Sequence, residues 1–134
     1  MDIALSVLLI GTAIVCIYYW VDFYTTGGVH VVKNDWYVKF QNSFPVADMW
    51  MALCAILGAI GLLTGQAYGL LFALLAASSL IFLGLMDVTF NIQNKLYRLV
   101  ATSGQMKFEV FLNIFALGFG IALIACLWSR LVTA

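Results

Sequence analysis

The chain has 134 residues, of which 65% are hydrophobic and only 9% are charged, and its formal net charge is zero. Charged residues make up roughly 25% of a soluble domain, so this composition excludes an ordinary water-soluble protein and indicates one embedded in lipid. The few basic residues are scattered along the chain, which also excludes nucleic-acid binding.

Four apolar segments have about the length of roughly 20 residues that a helix needs to cross a bilayer. They cover approximately residues 3–21, 44–64, 67–88 and 106–128. The sequence therefore predicts an all-α membrane protein in which residues 1–134 form a single domain, an antiparallel bundle of four transmembrane helices.

The longest connection, residues 22–44, follows the aromatic cluster Tyr18-Tyr19-Trp20, which is typical of the lipid–water interface. Two β-prone runs, 29–32 and 36–40, flank an Asn-containing turn and predict a short hairpin. The alternative is a short helix lying at the interface, because Trp36, Tyr37 and Lys39 are residue types that anchor there.

The other connections are shorter. Gly65-Gln66 is a tight turn that makes spans two and three an antiparallel helical hairpin. The helix of span three is expected to continue to about Lys95, and a polar loop of residues 97–105 leads into span four.

Basic residues predict the orientation of the chain in the membrane. Cytoplasmic loops carry an excess of Lys and Arg, and five of the six basic residues belong to one side of the predicted bundle, with only Arg130 on the other. We therefore expect both termini outside and the first and third loops in the cytoplasm. Four short spans with small loops favour a prokaryotic inner membrane. The five residues on the cytoplasmic side are Lys33, Lys39, Lys95, Arg98 and Lys107.

Four of the six acidic residues lie at this same end of four different spans. Ionisable groups within a membrane are costly and point to a functional site. Two of them are followed by an asparagine one helical turn later, which places the pair on one face. The candidate ligand- or cation-binding residues are Asp22, Asp48, Asp87, Asn91, Glu109 and Asn113.

Asp87 is the strongest of these candidates. Asn91 and Asn94 continue its helical face in one direction, and small residues, among them Gly84 and Ala77, continue it in the other. Small residues mark the face on which membrane helices approach closely. Asp87 is therefore expected to point into the bundle.

Each of the remaining acids also has a structural explanation. Asp48 and Glu109 fall in the first turns of their helices, where the helix dipole favours negative charge. Loop cations such as Arg98 and Lys107 could pair with them, Asp22 could be exposed to interfacial water, and the asparagines could simply link helices by hydrogen bonds.

Three hypotheses about function follow. The first is binding or transport of a small cation, a proton or a cationic amphiphile by an acidic and amide-rich pocket. The second is a membrane-embedded enzyme in which Asp87 is the acid and Asp48 or Glu109 the base. The third is an assembly subunit whose acids are paired by the loop cations. The sequence contains no recognised catalytic or phosphate-binding motif and predicts no cofactor. Its expected partners are the lipid bilayer, the ligand, and further copies or other subunits of a membrane complex.

Overall fold

The computed structural model describes residues 1–133, and this part of the chain is helical throughout apart from short connections. It contains five α-helices, one 3-10 helix and no strand. The elements in chain order are α1 (Asp2–Thr25), α2 (Asp35–Gln41), α3 (Pro45–Leu63), α4 (Ala67–Gln93), the 3-10 helix (Leu96–Ala101) and α5 (Gly104–Thr133).

Four helical segments within residues 1–133 are long and apolar enough to cross a membrane. The prediction of an all-α membrane protein with four spanning helices is thereby confirmed. The helices extend past the apolar segments, as α4 does to Gln93 and α5 to Thr133, because backbone hydrogen bonding continues where the side chains become polar. The segments are Asp2–Thr25, Asp35–Leu63, Ala67–Gln93 and Gly104–Thr133.

The hairpin prediction for the first connection is wrong, and its helical alternative is correct. Asp35 lies in the first turn of α2 and Lys39 in its last turn, and their side chains form an ion pair of 3.0 Å across one turn. Tyr37 and Gln41, also one turn apart, form the buried face of this short helix. Of the two β-prone runs, residues 36–40 therefore adopt a helix, because a helix turns these two side chains towards the bundle, and residues 29–32 are in neither a helix nor a strand.

The bundle is held most tightly between α3 and α4. A Cβ atom added at Gly61 would lie only 2.3 Å from the Cα of Gly69. One added at Gly58 would lie 2.8 Å from the backbone nitrogen of Ala73. Small residues thus let the two backbones approach closely, as is usual where membrane helices pack.

The helices are joined in the order α1–α3–α4–α5, and α1 and α5 make no contact comparable to those three. At one end of the bundle α1 and α5 are nevertheless tied together by an ion pair between Asp2 and Arg130. Towards the other end, where the acids lie, a cavity separates the two helices.

An acidic cavity between α1 and α5

A cavity of about 440 Å³ lies among the four long helices. Most of its wall is apolar, and carboxylates and amides are concentrated at one end. The apolar residues that α1 and α5 contribute include Val7, Leu8, Gly11, Val15, Phe111 and Phe115.

Three of the four predicted acids line this cavity: Asp48 from α3, Asp87 from α4 and Glu109 from α5. The side chains of Asp87 and Glu109 are near neighbours at this end of the cavity, and Asp48 lines the same end. We refer to these three residues and Gln41 as the acidic end. The helical phases of α4 and α5 bring Asp87 and Glu109 together because the two helices are antiparallel neighbours.

Glu109 is almost completely buried, with an exposed fraction of 2%. The side-chain amide of Asn91, which is itself fully buried, donates a hydrogen bond of 3.3 Å to its Oε1. A buried carboxylate is costly unless hydrogen bonds or a positive charge compensate it. One neutral amide donor compensates only part of that cost.

Asp48 has a different partner. The indole nitrogen of Trp20 donates a hydrogen bond of 2.6 Å to its Oδ2. The Cys16 thiol lies 3.5 Å from the backbone carbonyl of the same residue. Both contacts connect α1 to the start of α3, so they fix one side of the acidic end.

Three buried polar atoms around the acidic end have no hydrogen-bond partner within residues 1–133: Oδ1 of Asp87, Oδ1 of Asn91 and Nε2 of Gln41. Gln41 has an exposed fraction of only 3% and lines the cavity. Buried polar groups in folded proteins nearly always have a partner. Asp87 and Gln41 line the cavity, so the free acceptor of Asp87 and the free donor of Gln41 mark a place where a polar ligand group would find partners.

Gln41 was not among the sequence-based candidates. The feature of the sequence that could have identified Gln41 is its spacing of one helical turn from Tyr37. Interpreting residues 29–40 as a hairpin hides this spacing. Once α2 is recognised as a helix, both residues fall on the same face.

None of the acids in the cavity is paired with a basic residue. The ion pairs found within residues 1–133 join Lys39 to Asp35 and Arg130 to Asp2. Arg98 and Lys107 are exposed. The expectation that loop cations neutralise Asp48 and Glu109 is therefore not met.

The remaining predicted residues are placed differently. Asp22 does not line the cavity, and its carboxylate accepts hydrogen bonds from Thr26 Oγ1 at 2.5 Å and from the backbone N–H of Val29 at 2.9 Å. It thereby organises the loop after α1. Asn113 lines the cavity and donates a hydrogen bond of 2.7 Å to the hydroxyl of Tyr97.

Among residues 1–133, no group of three or more His, Cys, Asp and Glu side chains is arranged to hold a metal ion. The acidic end instead offers carboxylate and amide oxygens that accept hydrogen bonds. Such an arrangement suits a ligand group that carries N–H or O–H donors and a positive charge.

Comparison of the chain with models of protein families, with curated proteins and with solved structures finds no match to any of the three.

Proposed function

We propose that the protein binds a single-chain amphiphile with a protonated amine head group, and that the cavity between α1 and α5 is the binding site. The observation that carries this proposal is the acidic end itself. Asp48, Asp87 and Glu109 lie at one end of an apolar cavity, and no basic residue within residues 1–133 forms an ion pair with them.

The charge of the head group follows from the cost of burying carboxylates. The effective penalty for taking one ion out of water is several kcal/mol, and an opposite charge in good geometry offsets it. An ammonium group also carries three N–H donors. Oδ1 of Asp87, a residue that lines the cavity, is an acceptor without a partner, so an ammonium group beside it would satisfy it.

The apolar part of the ligand follows from the shape of the cavity. Its volume of about 440 Å³ falls within the roughly 300–1,000 Å³ of sites for small molecules. Along α1 the lining extends from Val7 to Trp20, which is about 20 Å at the helical rise per residue. A long and narrow apolar space of this kind favours one alkyl chain.

Binding of dodecylammonium to the protein in lipid nanodiscs tests the proposal. Asp87→Asn should weaken binding by at least about tenfold, because the ammonium loses a hydrogen bond to a charged partner. Asp22→Asn is the matched control, since Asp22 lies outside the cavity, and should change binding less than about twofold. Equal affinity of the wild-type and Asp87→Asn proteins would refute the proposal.

A second ligand separates charge from hydrogen bonding. Dodecyltrimethylammonium has the same chain and charge but no N–H donors. If the free acceptor of Asp87 binds the head group, it should bind about tenfold more weakly than dodecylammonium. Uncharged dodecanol should bind more weakly still, and its binding should not depend on Asp87.

The close approach of Asp87 and Glu109 favours one further candidate function, proton transfer to and from a bound lipophilic substrate. Two carboxylates in different surroundings can act as acid and base. The measurement is deuterium incorporation from D₂O into carbon positions of an amphiphile during incubation with the protein. Catalysis predicts incorporation that both Asp87→Asn and Glu109→Gln abolish, and its absence with the wild-type protein argues for binding alone.

We further propose that the acidic end faces the cytoplasm of a prokaryotic inner membrane. The support is the excess of Lys and Arg on that side of the bundle. Labelling of single cysteines in intact cells tests it. Lys33→Cys should be protected from an impermeant reagent, and Gln66→Cys, in the exposed turn between α3 and α4 at the other end of the bundle, should react.

A further inference from the structure

We infer that the amphiphile reaches the acidic end sideways, from the bilayer, through the gap between α1 and α5. This inference rests on the proposed function and identifies where the ligand comes from. The gap, here named the lateral opening, is bordered by Val7, Gly11 and Val15 of α1 and by Phe111 and Phe115 of α5.

The arrangement of the helices leaves this side of the bundle unclosed. Three neighbouring pairs of helices, α1–α3, α3–α4 and α4–α5, make extensive contact, and the pair α1–α5 does not. The Asp2–Arg130 ion pair holds α1 and α5 together at the far end of the bundle. The two helices are therefore joined at one end and separated along the cavity.

Three of the five residues at the lateral opening line the cavity and are also exposed. The exposed fractions are 63% for Val7, 41% for Val15 and 60% for Phe111. In a membrane these apolar side chains contact lipid, so the cavity is continuous with the bilayer on this side. An alkyl chain loses little by moving from lipid into such a site, because both surroundings are apolar.

The opposite route, from water into the acidic end, is covered by protein. Tyr37 is fully buried and Gln41 nearly so, which shows that α2 is seated on this end of the bundle. The ring of Phe40 stacks on that of Phe90 of α4, with centroids 3.7 Å apart and planes at 4°. Phe44, with an exposed fraction of 6%, completes the cover and lines the cavity.

Gly11 provides a way to block the lateral opening without disturbing the packing. It lines the cavity, and a Cβ atom added there meets nothing within 4 Å. Gly118 of α5 has equally open space and is exposed, but it does not line the cavity. The two glycines form a matched pair for substitution by a large side chain.

The experiment compares Gly11→Phe with Gly118→Phe in nanodiscs. The probe is dodecylammonium brominated close to its head group, which should quench the fluorescence of Trp20 at the acidic end when it binds, and the association rate is followed by stopped flow. Gly11→Phe should slow association by about tenfold or more, and Gly118→Phe by less than about twofold. Equal rates for both variants and the wild type would overturn lateral access.

The result distinguishes lateral access from the proposed function. If the wild-type protein shows no saturable quenching, the protein does not bind the amphiphile and the proposed function is wrong. If the wild type binds and Gly11→Phe associates equally fast, only the route is wrong. A shift of Gly11→Phe to another oligomeric state, with an unchanged association rate, would show that a second copy of the chain covers the opening and would also overturn the inference.

A second variant covers the case in which Gly11→Phe fails to fold. Gly11→Cys is prepared in a background without Cys16, Cys54 and Cys126, and is modified after folding with a benzyl thiosulfonate. Association of the probe should be slow after modification and recover when the adduct is reduced. A rate that does not change with modification overturns lateral access.

Discussion

The indole N–H of Trp20 donates a hydrogen bond of 2.6 Å to Oδ2 of Asp48, and this bond joins α1 to α3 at the acidic end. Each residue belongs to a feature visible in the sequence, Trp20 to the interfacial aromatic cluster and Asp48 to the layer of acids. The bond shows that Trp20, a residue type usual at the lipid–water interface, is also the hydrogen-bond donor to a carboxylate that lines the cavity.

Trp20→Phe should destabilise the protein by about 1–3 kcal/mol, because the Asp48 carboxylate loses its donor while it remains in the cavity. Thermal unfolding in detergent measures the effect. A double-mutant cycle with Asp48→Ala isolates the bond, because alanine leaves the indole N–H no acceptor. The double variant should lose less than the sum of the two single variants, and strictly additive losses would contradict a direct interaction.

Asn91→Ala should destabilise the protein by a similar amount, about 1–3 kcal/mol, since Glu109 then has no amide donor at Oε1. Asn94→Ala is the matched control on the same helix. Its side chain is exposed and bonds only the carbonyl of Phe90, so we expect a change within about 0.5 kcal/mol. Equal losses in the two variants would show that Asn91 contributes only helix packing.

Gly61→Ala should lower the melting temperature in detergent, although alanine is the better helix former by about 1 kcal/mol. The added methyl group would lie 2.3 Å from the Cα of Gly69, so α3 and α4 would have to separate. Gly118→Ala, where nothing lies within 4 Å of the added atom, should leave the melting temperature unchanged or raise it. A melting temperature of Gly61→Ala at or above the wild-type value would contradict this close packing.

His30 should make stability depend on pH. Burial in the loop after α1, followed by the charge of Lys33, lowers the pKa of His30 below its usual 6.5, while Asp22 opposes the shift. Its ring packs on Phe23 with centroids 4.1 Å apart and lies near Tyr37. The folded protein therefore holds this side chain neutral over a range in which the unfolded chain binds a proton.

The sign of the effect follows from that difference. Stability attributable to His30 is present above pH 6.5 and is lost as pH falls below it, because protons bind the unfolded state preferentially. The melting temperature of the wild type should fall more between pH 7.5 and pH 5 than that of His30→Phe, which keeps the ring contact. Parallel pH profiles for the two proteins would contradict the prediction.

The fold could be predicted from hydropathy because lipid leaves a spanning backbone no partner for its hydrogen bonds except within its own helix. The structure of the connection between the first two spans was harder to predict. Val29–Val32 and Trp36–Phe40 have the composition of strands, and the preference of Tyr37 and Gln41 for one helical face depends on their burial against the bundle.

Part of the candidate site could also be predicted from the sequence. Helical periodicity places Asp87 with Asn91, and Glu109 with Asn113, and the equal depth of the acids follows from their positions at span ends. Periodicity within one helix does not state the distance between helices. Periodicity therefore could not separate Asp22 from the other acids. In the structure α1 ends at Thr25, and the carboxylate of Asp22 is hydrogen-bonded within the following loop.

The sequence by itself determined that the protein is embedded in lipid, that it has four spanning helices and that its acids lie in one layer, because hydrophobic length and helical phase are local properties of the chain. Only the tertiary structure decided that Asp87 meets Glu109, that Gln41 of α2 faces them, and that α1 and α5 remain apart along the cavity. These relationships depend on side-chain packing between segments that are distant in the chain. No single segment of the sequence therefore indicates them.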